Sequence, residues 1–351
     1  MIVAMKNTTI VWFHKDLRLE DNPALAHAAQ NSKVIPVFIF DEETRQPGAA
    51  SRWWLHKSLQ ALQASLQKKG GELYIFHGKP SDILPDLAQK TGAQGVFWNR
   101  QYDTLSIKRD KQLKQDLKDQ GLNVESFNGH LLVEPWHIQN KSGGYYKVFT
   151  PYWKQLRDMD IPNPVACPEI EFSSCRGSTH IEDFAPRWAK GFESWQPGEI
   201  GAKAQLEAFL KQRLNNYGEG RDRPDKDNTS GLSPHLAWGD ISPRVIWHTV
   251  KDFIEAEGLE KDGQKFLSEL AWREFSYNLL YHFPDLPHKN FNPKFDDFPW
   301  VKNQTALEKW QAGQTGYPIV DAGMRQLWHT GWMHNRVRMI VASFLIKDLM
   351  I

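Results

Sequence analysis

The residue types best placed to do chemistry fall in two short segments, Glu269-Leu270-Ala271-Trp272-Arg273-Glu274-Phe275 and Thr330-Gly331-Trp332-Met333-His334-Asn335-Arg336-Val337-Arg338-Met339. Each gathers an indole, a guanidinium and a hydrogen-bonding side chain within one or two helical turns. That set suits a pocket for a flat, polar, anionic ligand, with flavins and nucleic-acid bases the leading candidates. At about 3.6 residues per turn, Glu269, Trp272, Arg273 and Ser276 share one helix face, and Leu267, Ala271 and Asn278 lie roughly opposite. In the second segment Asn335, Arg338, Met339 and Ala342 share a face. Taken singly, Trp and Met at helical spacing read as core and Arg beside Glu reads as a solvated pair. Two such faces in one domain read as a site.

The elements that must position these faces are legible as pattern. Between residues 9 and 130, Thr9–Phe13, Val34–Phe40, Glu72–Phe76 and Gly95–Trp98 read as buried strands, and Asn22–Gln30, Ser51–Lys69, Pro80–Lys90 and Ser106–Gln120 as helices. Alternation at this spacing predicts an α/β domain with a Rossmann-like, doubly wound parallel sheet over 1–130. The turn after the first strand, His14-Lys15-Asp16-Leu17-Arg18, has no glycine, and neither a G-x-G-x-x-G fingerprint nor a P-loop is present, which argues against ordinary dinucleotide binding there. Residues 131–198 lose the pattern to Pro, Gly, Ser and aromatics and read as an interdomain connection. Residues 199–351 read as all-α: Gly201–Tyr217, Pro243–Glu257, Gln264–Tyr281, Thr305–Gln311, Pro318–His329 and Trp332 to the end.

The bulk numbers agree with two domains in 351 residues. A mean hydropathy of -0.57 and the absence of any apolar run near about twenty residues argue against a membrane span. Met1–Thr9 is too short and polar for a secretory signal, so the expectation is a cytoplasmic protein. Cys167 and Cys175 match no zinc or disulfide pattern, and no metal site is expected. The net charge of +1 does not announce a nucleic-acid binder, but a local patch suffices, and Arg221, Arg223, Arg273, Arg336 and Arg338 could form one. Tryptophan is abundant, with 15 residues, which serves core packing and, at some positions, stacking or electron transfer.

The chain resembles the DNA photolyase/cryptochrome family along its whole length, and within it the bacterial class acting on cyclobutane pyrimidine dimers. Val11 to Asn22 is similar to the family's opening strand and turn, Tyr145-Tyr146-Lys147-Val148-Phe149-Thr150-Pro151 to its linker, and Thr229-Ser230-Gly231-Leu232-Ser233-Pro234 to its flavin loop; Gly313–Arg325 and Gly331–Met339 are similar to long ungapped signatures. Several motifs in the right order make this a specific match.

The resemblance implies an all-α domain holding FAD in a folded conformation. It places Tyr217, Thr229, Ser230, Gly231, Leu232, Ser233, Phe266, Arg273 and Arg338 at the cofactor. Small hydroxyls and free amides at a helix entry suit phosphate oxygens; Ser233-Pro234 also reads as a simple helix start. Gly231 stands where relatives often carry arginine, which loosens one phosphate contact. The resemblance implies UV-damaged DNA as partner, met by a monomer. A flipped dimer offers carbonyl and N–H edges and two flat faces. Glu269 and Asn335 match the polar contacts and Trp272 and Met339 the apolar wall. Arg221, Arg336, Arg273 and Ser276 match DNA-facing positions, and Trp300 matches the outermost tryptophan of a chain that photoreduces the flavin.

The implied reaction is light-driven electron transfer from reduced FAD, with deoxyribodipyrimidine photo-lyase the expected activity. The alternatives are a blue-light receptor of cryptochrome type and an inactive fragment. Asn99 to Ser106 lacks the Asn-Glu pair that folate-binding members carry, so the antenna, of folate or deazaflavin type, is left open. The family continues past the position of Ile351 with two further tryptophans and residues beside the flavin ring. The expectation is therefore that residues 1–351 alone hold FAD weakly and repair little.

Overall fold

The computed structural model describes residues 7–41, 47–184 and 186–351. Runs of β-branched and aromatic residues form a five-stranded sheet: β1 (Asn7–Phe13), β2 (Ser32–Asp41), β3 (Tyr74–Gly78), β4 (Gly95–Asn99) and β5 (Asn123–Phe127). All neighbours are parallel and the order is β3-β2-β1-β4-β5. The fifth strand was absent from the sequence reading because it lies at an edge, where only Val124 of its five residues is buried. Four helices link the strands, α1 (Pro23–Asn31), α2 (Ala49–Lys68), α3 (Pro80–Thr91) and α4 (Thr104–Asp119). Alternate residues of β1 face opposite layers: Val11 and Phe13 pack with Leu55, Leu59 and Leu62 of α2, while Ile10 and Trp12 pack with Leu84 of α3 and Leu113 of α4.

The stretch expected to be a connection is packed structure. It carries α5 (Phe149–Arg157) and a 3-10 turn at Arg187–Phe192, and its Leu132, Ile138, Tyr152, Leu156 and Ile161 belong to the helical core. Tyr152 and Leu156 occur once per helical turn in a polar segment too short to register as a period. Farther on, Phe172 bridges to Val34 and Ser178 to Ile75, so the chain runs back along the sheet before leaving it.

The helical region comprises α6 (Glu199–Gln212), α7 (Tyr217–Gly220), α8 (Ser233–Trp238), α9 (Pro243–Glu257), α10 (Glu260–His282), α11 (Gln304–Gln311), α12 (Pro318–Thr330) and α13 (Asn335–Ser343), with a π turn over Phe344–Asp348. The short α7 was not expected and α8 only as a helix start at Ser233, and α10 begins at Glu260, four residues before the expected Gln264; two further boundary differences have a visible cause. The helix predicted to run to Tyr217 stops at Gln212, because Asn216 takes a left-handed φ of 68° and Asp262 accepts from the amides of Asn216 (2.9 Å) and Gly218 (2.6 Å). The last helix begins at Asn335 instead of Trp332, since the His334 side chain caps it by accepting from the Arg336 amide at 3.1 Å.

Arg18 pins the two regions together. It is 1% exposed and donates to the carbonyls of Gly239 (3.0 Å), Gly129 (2.6 Å) and Asp21 (2.7 Å), while the Leu17 amide donates to Trp238 (3.2 Å). Gly239 has φ +69°, and a Cβ there would run into the Lys15 carbonyl. Glycine is thus required at the seam.

Candidate functional site

Glu269 of the first helix face and Asn335 and Arg338 of the second meet at one cleft of about 580 Å³, within the usual range for a small-molecule site. From the helical region Tyr217, Arg221, the loop Thr229–Ser233, Glu269, Asn335 and Arg338 line it. The opposite wall is Trp54 of α2 with Trp195 and Trp238, so the α/β domain contributes an indole to a pocket of the helical one. Trp54 and Trp195 were not singled out from sequence. The adjacent Trp53-Trp54 pair was the only available signal, and helical spacing assigns it to core.

Each lining group is held from behind. Tyr217 sits edge-on to Phe209 (5.4 Å) and Phe266 (5.5 Å), and burial pushes its phenol up to about 12, so it stays a neutral donor. The 229–233 loop is fixed by the Gln205 side-chain amide, which donates to the Ser230 carbonyl at 2.7 Å, and it turns at Gly231 with φ +65°. Trp54 Nε1 donates to Asp240 at 2.9 Å, and His235 Nδ1 contacts the same carboxylate oxygen at 2.9 Å. The helix start at Ser233 is as expected, but Leu232 occupies the cap and no side chain bonds the first-turn amides.

Electrostatically the cleft is a set of neutralised cations. Arg221, 7% exposed, is ion-paired with Glu269, which also takes Lys265 at 3.0 Å. Burial alone would lower the Arg221 guanidinium, but the Glu269 hydrogen bond raises it above its ordinary value. Arg336 bonds Asp222 at 2.7 Å, and Arg336 with neighbouring charges holds that carboxyl low against the opposing effect of desolvation. Arg223 pairs with Asp225 (2.7 Å) and Arg273 with Glu274 (2.7 Å). Arg338 alone of the five expected patch residues makes no ion pair among the described residues. The anticipated basic patch is therefore charge-balanced at rest.

Not every expected residue reaches the cleft. Arg273 turns away, bonding Glu274 and His130 (3.0 Å) and lying over the Tyr277 ring at 5.0 Å. Phe266 is buried behind Tyr217 and does not line the pocket. Trp272, Met339 and Ser276 are exposed outside the lining; Ser276 Oγ donates to the Trp272 carbonyl (2.8 Å), and Met339 Sδ accepts from Arg336 (3.6 Å). The reason is geometric: Trp272 and Arg273 flank the Glu269 row by tens of degrees in opposite directions, so neighbouring elements claim them. Trp300 is 52% exposed and tilted on Phe298 at 4.5 Å, outside the cleft lining, and the amide of the next residue, Val301, donates to the Met350 carbonyl at 2.7 Å.

Residues 9–169 match the model described as DNA photolyase, and residues 266–351 match the FAD binding domain of DNA photolyase. A deoxyribodipyrimidine photo-lyase of Agrobacterium fabrum is 49% identical over 97% of this chain and 73% of its own length. The chain belongs to the DNA photolyase/cryptochrome family. Cryptochrome-2 of Arabidopsis thaliana is 38% identical, with 99% of this chain and 60% of that protein covered. The crystal structure of a bacterial class III photolyase from Agrobacterium tumefaciens superposes with a TM-score of 0.95 at 47% identity, covering 100% of this chain and 75% of that one. The chain thus spans about three quarters of the length of these photolyases.

The helical domain is accordingly an FAD-binding domain of photolyase type, and its residues fit that cofactor. The cleft is lined by hydroxyl-bearing Thr229, Ser230 and Ser233, while the Arg221 Nε is buried 3.4 Å from the Asp222 carboxylate. Those groups and Arg338 supply what phosphate oxygens require, and Trp54, Trp195 and Tyr217 supply flat apolar walls.

Proposed function

We propose that this protein binds UV-damaged DNA and reverses cyclobutane pyrimidine dimers in blue light. The single observation behind this reading is the convergence of Glu269 and Asn335 on the cleft that also carries the Thr229–Ser233 loop, which sets polar groups for pyrimidine edges beside those for a phosphate-bearing cofactor. Reduced FAD, when bound, supplies the light-excited electron that opens the cyclobutane ring and receives it back. The chain's own residues bind, orient and exclude water. Ser230, Ser233 and Arg338 hold the cofactor's phosphates and Tyr217 its flank. Glu269 accepts pyrimidine N–H groups, Asn335 meets their carbonyls, and Trp272 with Met339 forms the rim against which the extruded bases lie. Arg221 and Arg336 exchange Glu269 and Asp222 for DNA phosphates as the duplex docks.

The test is loss of dimers from a dimer-containing oligonucleotide under blue light, with FAD and reductant in excess. The excess of FAD offsets weak retention by the chain alone, so slow light- and FAD-dependent loss is expected, and it should be abolished by Glu269→Ala. Flavin photoreduction without loss of dimers would favour the receptor reading, which the similarity to plant cryptochromes keeps in play.

A second chromophore fits the α/β domain. The strand order reverses between β1 and β4, the place where doubly wound sheets bind ligands at the carboxyl ends of their strands. There the indole N–H groups of Trp12 and Trp98 and both His14 ring nitrogens are buried without hydrogen bonds, and Arg109 lies 4.8 Å from the Trp12 ring. Among structural relatives, an archaeal photolyase of Sulfolobus tokodaii (TM-score 0.82, 28% identity) is described with two FAD molecules, with the implication of a novel light-harvesting cofactor. Reconstitution with folate, deazaflavin or flavin and an action spectrum distinguishes the candidates. An action spectrum identical to FAD absorbance in every case, with one flavin bound per chain, would exclude an antenna here.

A further inference from the structure

Trp272 stands out of the cleft lining with 45% of its surface accessible, yet its orientation is not free. Its ring lies flat on Phe149, centroids 3.7 Å apart and planes within 9°. Phe275 meets both rings near edge-on, at 5.9 Å from each. One face of the indole is thus covered, one edge is buttressed, and the accessible area is the opposite face and the outer edge. A face-to-face pair of this kind resists tilting because any rotation of the indole breaks contact over the whole ring.

Phe149 in turn is rigidly mounted. It begins α5, and at i+3 and i+7 from it on the same helix face are Tyr152 and Leu156, which are 1% and 0% exposed. Tyr152 also packs on Phe275 at 5.3 Å. The stack is therefore anchored to the main helical core from two elements, α5 and α10. An exposed aromatic usually gains more by folding down onto the surface than by standing up against a single partner. The arrangement presents one clean aromatic face to the outside.

We propose that Phe149 is a positioning residue for lesion recognition. By stacking on one face of Trp272 it sets the plane against which an extruded pyrimidine lies on the other face, so the interdomain segment takes part in choosing damaged over intact DNA. This rests on the reading of Trp272 as part of the recognition rim. Phe149 touches no base itself and makes no phosphate contact, so it acts on discrimination and not on the electrostatic part of binding.

The experiment measures binding of the 351-residue chain to a duplex with one thymine dimer and to the same duplex undamaged, across a salt series, for Phe149→Leu, Phe149→Tyr, Trp272→Ala and Phe149→Leu with Trp272→Ala. Leucine keeps the apolar packing on Tyr152 while removing the ring, and near-ultraviolet circular dichroism of the free protein reports whether the indole has lost its fixed plane. Phe149→Leu should cut the damaged-to-intact affinity ratio roughly 5- to 150-fold, the worth of one base stacked on one ring, with the salt slope unchanged. Phe149→Tyr should retain the ratio, and the double variant should be no worse than Trp272→Ala. If Trp272→Ala loses discrimination while Phe149→Leu keeps it, the positioning role is wrong and the rim reading stands. If Trp272→Ala keeps discrimination, or the unaltered chain shows none, the rim reading fails and this proposal falls with it.

Discussion

At the scale of single residues the informative groups are charges held in the wrong solvent. Glu274 is buried between α10 and the segment after β5, accepting from the Leu132 amide at 2.7 Å and pairing with Arg273. Burial outweighs both partners and lifts its carboxyl from the ordinary 4.5 to about 7. A folded-state value above the unfolded one means the native protein keeps a proton that the unfolded chain gives up. Stability contributed by this group is present below pH 4.5 and is lost as pH rises toward 7, on the order of 3 kcal/mol in all. Thermal midpoints of Glu274→Gln should therefore fall less than those of the unaltered protein between pH 5 and 8; parallel profiles would refute the assignment. The paired guanidiniums make a second prediction. Arg336→Ala should flatten the log-log salt dependence of DNA binding by about 0.9, one phosphate's worth, while Asp222→Asn, which frees Arg336, should tighten binding. Unchanged slopes for both, read by anisotropy titration, would remove Arg336 from the interface.

At the scale of elements, the flavin loop is the test case. Gly231 combines a left-handed φ with a neighbour behind it: a Cβ would come within 2.7 Å of Gln205 Nε2, the group that holds Ser230. Gly231→Ala should displace that amide and weaken FAD retention, and Gln205→Ala should do so by the same route, both seen as flavin absorbance lost on gel filtration. Retention equal to the unaltered chain in both would show that the loop is not shaped by this contact. Most elements were readable beforehand because their apolar period is long and regular, as in α9, whose predicted and observed bounds coincide at Pro243–Glu257. That Glu269 and Asn335 line the cleft was readable because each lies on a helix whose opposite face is plainly core. What escaped was information not stored in local pattern. Asn216 breaks a helix through a partner, Asp262, forty-six positions away in sequence. Trp54 reaches the cleft only because α2 packs on α8, and Arg273 leaves it only because His130 is within reach.

For the whole molecule, the two domains share a wall. Trp54 of the α/β domain faces the cofactor loop, and its indole N–H is satisfied by Asp240 of the helical domain. Separating the domains would therefore dismantle the pocket. The seam is also where substitution costs most: Gly239→Ala adds both a strained φ and a clash with the Lys15 carbonyl, and the expected loss is a few kcal/mol. Calorimetry should then show one cooperative transition splitting into two, with flavin released at the first. A single transition at an unchanged midpoint would mean that the seam tolerates the methyl group.

The bond between Arg18 and Gly239 spans 221 residues of sequence. On a ribosome that adds about 5 to 20 residues each second, the guanidinium exists for roughly 10 to 45 s before its distant acceptor has been synthesised. A cation that will end fully buried cannot be sealed in during that interval, because its desolvation would go uncompensated. The turn after β1 must stay hydrated and open while the sheet assembles around it. The α/β domain thus cannot close until part of the helical one has been made, and a nascent chain halted before Gly239 should display that turn to proteases and chaperones.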